Sequence, residues 1–182
     1  MRRDELLERA YEYVLEQGLV TLSLRPLAAA IGSSPRVLLF LFGSKSGLVR
    51  ALLARARADE VAALERIRRD SAGSPLTEVA RALWEWLAAE RHRALLELWV
   101  EGYARSLVEP DGEWAGFARA TVEEWLALLA EHQPPGGRDT ARRRTERTLL
   151  LAVLRGALLD LLATGDLERT TRAVELHLAG AT

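Results

Sequence analysis

The sequence predicts an all-α protein. Apolar residues recur three and four positions apart along most of the 182-residue chain, and no long stretch alternates apolar with polar residues as a half-buried strand would. Glycine, proline and serine are grouped in short segments between these amphipathic stretches, where they can end one helix and begin the next. Hydrophobic residues make up 49% of the chain and charged residues 28%, a composition typical of a folded globular protein.

Four helices are predicted in the N-terminal part of the chain, over residues 4–17, 24–31, 35–42 and 45–69. A serine precedes each of the last three helices. We expect Ser23, Ser34 and Ser44 to cap them, because a serine oxygen accepts a hydrogen bond from a backbone amide at a helix start. Pro35 suits the first position of the third helix, where the missing N–H would have no helical partner in any case. Glycines follow the first three helices and can end them.

The rest of the chain is predicted to form five further helices, over residues 76–90, 92–108, 113–132, 139–164 and 166–179. The segments SAGSP (71–75), EPDG (109–112) and HQPPGGRD (132–139) have the composition of loops. All five tryptophans lie after residue 80, which indicates that the two parts of the chain are built differently.

The second and third predicted helices fit a helix-turn-helix motif. Two short helices are joined by a turn of three or four residues that contains glycine, and the second helix begins after a serine. In such a motif the first helix supports the second, whose N-terminal residues can enter the major groove of DNA. The spacing alone does not distinguish this motif from other short capped helices in all-helical proteins.

The stretch GLVTLSLRPLAAAIGSSPRVLLFLFGSKSGLVRALL, residues 18–53, resembles the N-terminal domain of TetR-type transcriptional regulators. The resemblance extends without a gap over residues 5–53. The positions that carry it are Gly18, Ser23, Leu24, Ile31, Gly32, Ser34, Leu38, Phe42, Gly43, Ser44, Lys45 and Leu48. It implies a three-helix DNA-binding domain over residues 1–47 and a helical domain for ligand binding and dimerisation over residues 48–182. The implied function is transcriptional regulation, with repression as the family default.

The resemblance implies that eight residues contact DNA: Ser23, Arg25, Ser34, Arg36, Val37, Leu39, Phe40 and Lys45. Ser23 and Lys45 match positions that meet phosphates, and Arg36 is the best candidate for a bidentate contact with guanine. Lys45 is the only lysine in a chain with 24 arginines. The alternative, a solvated charge at a helix start, is disfavoured by the helix dipole.

The third helix departs from the family pattern. The family commonly has a tyrosine with polar or histidine neighbours where this chain has Leu39, Phe40 and Leu41. We expect Leu39 and Phe40 to face DNA and Leu41 to lie nearer the fourth helix. In the alternative interpretation these apolar residues cover a protein partner or pack on the fourth helix. The protein would then be a helical adaptor, or a relic that no longer binds DNA.

The helix predicted over residues 139–164 is apolar on nearly all sides, which predicts burial against two neighbours. The resemblance implies that this helix and the last one form a four-helix interface between two copies. The residues assigned to that interface are Leu151, Leu154, Gly156, Leu158, Val174 and Leu178. A homodimer also suits the two half-sites of a palindromic duplex operator. The alternative is a monomer with a large core.

Aromatic and apolar residues cluster on the helices between these two regions. The resemblance implies that they enclose a cavity for a small-molecule effector, whose identity the sequence does not reveal. The predicted lining residues are Trp84, Leu96, Trp99, Tyr103, Phe117, Thr121 and Trp125, and Trp114 is expected on the same helical face as Phe117. The alternative is that these side chains form an ordinary core.

The composition argues against several other classes of function. The chain has no cysteine, so thiolate zinc sites and cysteine nucleophiles are excluded. Its three histidines, His92, His132 and His177, have no metal-ligand partner at a helical spacing. The sequence FGSKSG lacks the full phosphate-loop pattern and no strand precedes it. We therefore expect neither an enzyme nor a bound cofactor or metal.

Charge and hydropathy bear on partners and location. The net charge is −1, so any nucleic-acid site has to be local. Residues 1–50 carry seven basic and five acidic side chains, a modest excess that favours binding by two copies. The N-terminus lacks the apolar core of a signal peptide, and the longest apolar run is interrupted by Arg155 and Asp160. The expected location is the cytoplasm, without a membrane partner.

Overall fold

The computed structural model describes residues 3–19, 22–112 and 114–180. Over these residues the chain forms nine α-helices and one short 3-10 helix, and it contains no strand. The α-helices are α1 (Arg3–Gln17), α2 (Leu24–Ala30), α3 (Pro35–Phe42), α4 (Lys45–Asp70), α5 (Leu76–Ala88), α6 (Arg93–Val108), α7 (Phe117–Glu131), α8 (Ala141–Thr164) and α9 (Leu167–Gly180). The 3-10 helix, Glu90–His92, lies between α5 and α6. The predicted all-α class is confirmed.

Two of the three predicted serine caps are present. The Ser34 hydroxyl accepts a hydrogen bond from the Val37 amide at 3.3 Å, and the Ser44 hydroxyl accepts one from the Gly47 amide at 2.9 Å. The Ser23 side chain makes no capping hydrogen bond, so that prediction is wrong. Its backbone carbonyl still accepts from the Leu27 amide at 3.2 Å, and α2 begins on backbone hydrogen bonds alone.

The main difference in helix bounds concerns α7, which begins at Phe117 rather than at 113. Gly116 has a φ of +77°, a left-handed conformation that ends the preceding turn and leaves Trp114 outside the helix. Glu113, the predicted first residue, lies outside the described residues. The expectation that Trp114 shares a helical face with Phe117 is therefore wrong.

Contacts within the chain divide it into two compact units. Unit 1 contains Met1–Val61 and Ala94–Ala118, and unit 2 contains Ala62–Arg93 and Arg119–Thr182. The sequence predicts a different boundary, at residue 48, between a DNA-binding domain and a domain for ligand binding and dimerisation. That boundary separates functions, and it stays a prediction.

The core of unit 1 is built on the amphipathic faces of α1, α2 and α3. From α1 it takes Leu6, Ala10 and Val14, which recur every fourth residue and are fully buried. The same core continues into the first half of α4 and includes Leu98 and Trp114 from the second segment of the unit. The three short N-terminal helices thus share one hydrophobic cluster with the start of α4.

The core of unit 2 is built on packing among α5, α8 and α9. Five of the six residues assigned from the sequence to a dimer interface lie in this core, with their side chains buried within a single chain: Leu151, Leu154, Leu158, Val174 and Leu178. Of the six, Gly156 alone is exposed. These five side chains thus pack within a single chain, and the assignment of the six residues to an interface between two copies stays a prediction.

Trp114 packs directly onto Gly102 of α6 within unit 1. A Cβ atom added at Gly102 would lie 2.1 Å from Cζ3 of the indole, closer than real Cβ atoms approach. Trp114 is buried and meets the Phe117 ring edge-on, with the two ring centroids 5.8 Å apart. The missing side chain at Gly102 is therefore what allows the tryptophan to enter the core.

This packing predicts strong coupling between the two positions. Gly102→Ala should lower the free energy of unfolding by about 1–3 kcal/mol in the wild-type background, because the indole has to move. In a Trp114→Ala background the same change should raise it by about 0.5–1 kcal/mol, because alanine is the better helix former. Chemical denaturation of the four proteins measures both values, and equal effects in the two backgrounds would contradict the contact.

Candidate nucleic-acid interface

Helix α3 is anchored along one side only. Leu38 and Phe42, four residues apart, are buried in the core of unit 1. Because an α-helix has 3.6 residues per turn, the residues between and beside them point away from that core. Val37, Leu39 and Phe40 are accordingly 41%, 40% and 85% exposed. Leu41 is partly buried and packs against the core cluster of unit 1.

The polar residues predicted to contact DNA are also at the surface. Ser23, Arg25, Arg36 and Lys45 are exposed, and Ser34 is partly exposed while it caps α3. In the described part of the chain, the three cations among them form no ion pair with a carboxylate. Three positive charges without a carboxylate partner thus lie in the first turns of α2, α3 and α4.

Two glycines place Lys45 beside the end of α3. Gly43 has a φ of +78°, and this left-handed residue ends α3 so that the chain can turn into α4. At Gly47 a Cβ atom would lie 2.0 Å from the Phe42 carbonyl oxygen. Only a glycine at 47 allows the first turn of α4 to pack so closely on α3. The sequence reasoning missed this role, although a glycine in the first turn of a long helix is the signal that could have revealed it.

A polar network joins α1 to α4 within unit 1. The Tyr11 hydroxyl donates to Oδ2 of Asp59 at 3.0 Å, and Nε of Arg55 donates to Oε1 of Glu8 at 2.7 Å. The Arg55 guanidinium also pairs with Asp59 and lies over the Tyr11 ring, 4.9 Å from its centroid. Burial and the hydrogen bond to Asp59 raise the pKa of Tyr11, and the hydrogen bonds to Glu8 and Asp59 raise the pKa of Arg55. Nothing in the sequence spacing identifies this network, because its partners are up to 48 residues apart.

The residues predicted to line an effector pocket are divided between the units. Leu96, Trp99, Tyr103 and Phe117 belong to unit 1, and Trp84, Thr121 and Trp125 belong to unit 2. In unit 1 the Trp99 and Tyr103 rings lie 5.2 Å apart. In unit 2 the buried Trp84 indole donates to Oγ1 of Thr171 at 3.0 Å, which ties α5 to α9. A common pocket stays a prediction.

Unit 2 has a groove of its own, with a volume of about 1260 Å³. It is bordered by the start of α5, the loop between α7 and α8, the first half of α8 and the end of α9. None of the predicted effector residues lines it.

The exposed side of α8 carries an unbroken stripe of apolar and small residues. It consists of Leu149, Ala152, Gly156, Leu159 and Ala163, spaced alternately three and four residues apart. Helix α9 of the same unit adds the exposed Leu176. This stripe lies on the opposite side of α8 from the leucines that form the core.

Two features of the described residues bear on other functions. No group of three or more histidine, aspartate or glutamate side chains within them could hold a metal ion. No single helix in residues 3–19, 22–112 and 114–180 is both long and apolar enough to span a bilayer. Helices α2 and α3 are long and apolar enough only when they are taken together, and they are bent by 101° relative to each other.

Solved structures of other proteins have the same fold as this chain. No family model matches the chain, and no curated protein matches it. The multidrug binding protein EbrR, in a complex with proflavin, is 26% identical with a TM-score of 0.70, and the match covers 100% of both chains. A TetR-family member from Streptomyces coelicolor is also 26% identical, with a TM-score of 0.66 over 98% of this chain and 96% of that one. A transcriptional regulator from a Rhodococcus species is 21% identical, with a TM-score of 0.77 over 100% and 96% of the two chains.

The all-helical fold, with an N-terminal helix-turn-helix motif that exposes one side of its second helix, is the fold of TetR-type transcriptional regulators and supports a regulator of that kind. The chain is similar to a member of the TetR family, at 26% identity over nearly its whole length. The alternative of a helical adaptor protein is not favoured by these comparisons.

Proposed function

We propose that the protein is a homodimeric repressor that binds a palindromic operator through α3 and is released from it by an apolar or aromatic small molecule. The observation that carries this proposal is the exposed apolar face of α3, together with exposed cations on α2, α3 and α4 that have no carboxylate partner in the described residues. The proposed activity is binding without catalysis, in the cytoplasm where the DNA lies.

In the proposed complex α3 lies in the major groove. Arg36, in its first turn, reaches a guanine edge, since a guanidinium forms two hydrogen bonds with guanine O6 and N7. Lys45 and Arg25, together with the hydroxyls of Ser23 and Ser34, meet phosphates on the groove walls. The exposure of Ser23, Arg25, Arg36 and Lys45 and the partial exposure of Ser34 support this arrangement.

The proposal predicts different effects for the two kinds of contact. The test uses a duplex that the purified protein selects from a random-sequence pool. At one base pair per half-site, Arg36→Ala should reduce the difference in binding free energy between the preferred base pair and the others by about 1–3 kcal/mol. Lys45→Ala should weaken binding to all duplexes alike and lower the slope of log K against log salt by about one per copy. Titrations at several salt concentrations measure both quantities, and equal loss of sequence preference in the two variants would contradict the assigned roles.

The proposed dimer uses the exposed stripe of α8 and the neighbouring face of α9. The small residues Ala152, Gly156 and Ala163 allow close approach of a second helix, and Leu149 and Leu159 supply apolar area. Of the six residues that the sequence assigns to the interface, this surface contains Gly156. Two copies related by a two-fold axis would present two α3 helices to two half-sites.

A charge placed in this stripe should separate the copies. Leu159→Glu should raise the dimer dissociation constant by about 100-fold or more, since an unpaired carboxylate would be buried between helices. Leu107→Glu is the matched control, because Leu107 is a similarly exposed leucine at the end of α6, outside the stripe. Sedimentation velocity over a range of concentrations compares the two variants. A Leu159→Glu protein that stays dimeric would contradict the proposed interface.

The effector is proposed to be an apolar or aromatic small molecule. The support comes from a solved structure that is 26% identical along the whole chain and holds proflavin, a planar aromatic compound. Aromatic side chains such as Trp99 and Tyr103, whose rings lie next to each other on α6, are suited to stacking on such a molecule.

Proflavin is therefore the first probe for effector binding. It should lower the affinity for the selected duplex, and by linkage the duplex should lower the affinity for proflavin by the same factor. Trp99→Leu should weaken proflavin binding about five-fold, whereas Trp86→Leu, a tryptophan outside the predicted pocket, should leave it unchanged. Fluorescence titration with and without duplex tests this, and proflavin binding that is independent of both DNA and Trp99 would contradict it.

A further inference from the structure

We propose that the apolar face of α3 reads the C5-methyl group of pyrimidines, so that thymine and 5-methylcytosine are equivalent to it. Cytosine methylation within the binding site would then raise the affinity of the protein for DNA. This inference rests on the proposed DNA-binding function and names the chemical group that the recognition helix selects.

The first argument is the chemistry of the exposed side chains. Val37, Leu39 and Phe40 have no hydrogen-bond donor or acceptor, and Phe40, at 85%, is the most exposed large apolar side chain in the described part of the molecule. The core of unit 1 already takes Leu38 and Phe42 from the same helix, so these three side chains do not serve the fold. Their contact with a binding partner therefore has to be apolar.

The second argument is the chemistry of the major groove. Each base pair presents hydrogen-bond donors and acceptors there, and an apolar side chain pressed against them would leave them without partners. The one apolar group in the groove of ordinary DNA is the thymine C5-methyl group. A 5-methylcytosine carries the same methyl group on the same ring carbon, so an apolar side chain meets the same surface on either base.

The third argument is the position of Arg36 relative to Phe40. The two residues are four apart in α3 and so lie on the same side of the helix, one turn apart. One turn spans about 5.4 Å, whereas successive base pairs are about 3.4 Å apart. The guanine read by Arg36 and the methyl group met by Phe40 therefore fall within two base pairs of each other.

Charge identifies nucleic acid as the occupant of this face. Arg36 lies in the first turn of α3 itself, Arg25 in that of α2 and Lys45 in that of α4, and none of the three has a carboxylate partner within the described ranges. Positive charges around an apolar centre complement phosphate groups on both sides of a groove. The helix is also the second helix of the helix-turn-helix motif, whose position in such motifs is in the major groove.

The experiment uses the full-length protein and the duplex that it selects from a random-sequence pool. Each thymine of the selected duplex is replaced singly by deoxyuridine, which removes the methyl group and changes no hydrogen bond. At one or two positions per half-site the affinity should fall about four-fold, as expected for the loss of one buried methyl group. At those positions cytosine paired with guanine should bind more weakly than thymine, and 5-methylcytosine should regain about four-fold over cytosine.

Variants connect the effect to Phe40. Phe40→Ser should abolish the difference between thymine and deoxyuridine at one position, and its circular dichroism spectrum should match that of the wild type because the side chain is exposed. Arg36→Ala should bind more weakly and keep the methyl effect. Leu107→Ser, the same kind of change at an exposed residue of α6, should alter neither binding nor the methyl effect.

The outcomes separate the two proposals. If no duplex is enriched from the pool, the proposed function fails and this inference fails with it. If a duplex is enriched but deoxyuridine substitution has no effect at any position, the protein binds DNA and methyl reading is overturned. A methyl effect that persists in Phe40→Ser would equally overturn the assignment to this side chain.

Discussion

The burial of Leu38 and Phe42 determines what α3 can do. These two side chains hold one side of an eight-residue helix in the core of unit 1, and the helical repeat then forces Val37, Leu39 and Phe40 outward. Gly43 and Gly47 bring the start of α4 against the end of the same helix and so place Lys45 beside it. A recognition surface follows from anchoring a helix on one side only.

The rest of unit 1 makes this anchoring rigid. The core under α3 is shared with α1, α2 and the first half of α4. Tyr11 belongs to that core, and its network with Arg55 and Asp59 also ties α1 to α4. Unit 2 follows the same physical rule on another helix. Helix α8 buries one row of leucines in its own chain and leaves a second row exposed, with small residues between, which is the surface proposed for a second copy. In both units the proposed functional surface is the side of a helix that the core does not bury.

Local signals predicted much of this arrangement. The bounds of α3 follow from Ser34, Pro35 and Gly43, because capping and chain reversal depend on adjacent residues. The row of α8 that would meet a partner could not be chosen from the sequence, since a helix apolar on all sides does not reveal which side meets its own chain. The position of Trp114 could not be predicted for a similar reason. It depends on the backbone conformation of Gly116 and on the space that Gly102 leaves in α6. Contacts between distant segments leave no periodic signal.

The central claim is that the exposed side of α3 touches DNA bases, and site-specific crosslinking tests it most directly. Phe40→p-benzoylphenylalanine places a photoreactive group on that side, and Leu107→p-benzoylphenylalanine places the same group on an exposed residue of α6. In a complex with the selected duplex, irradiation should join the variant at position 40 to the DNA and leave the variant at 107 unattached. A bound duplex that crosslinks with neither variant, or with position 107 alone, would contradict the account.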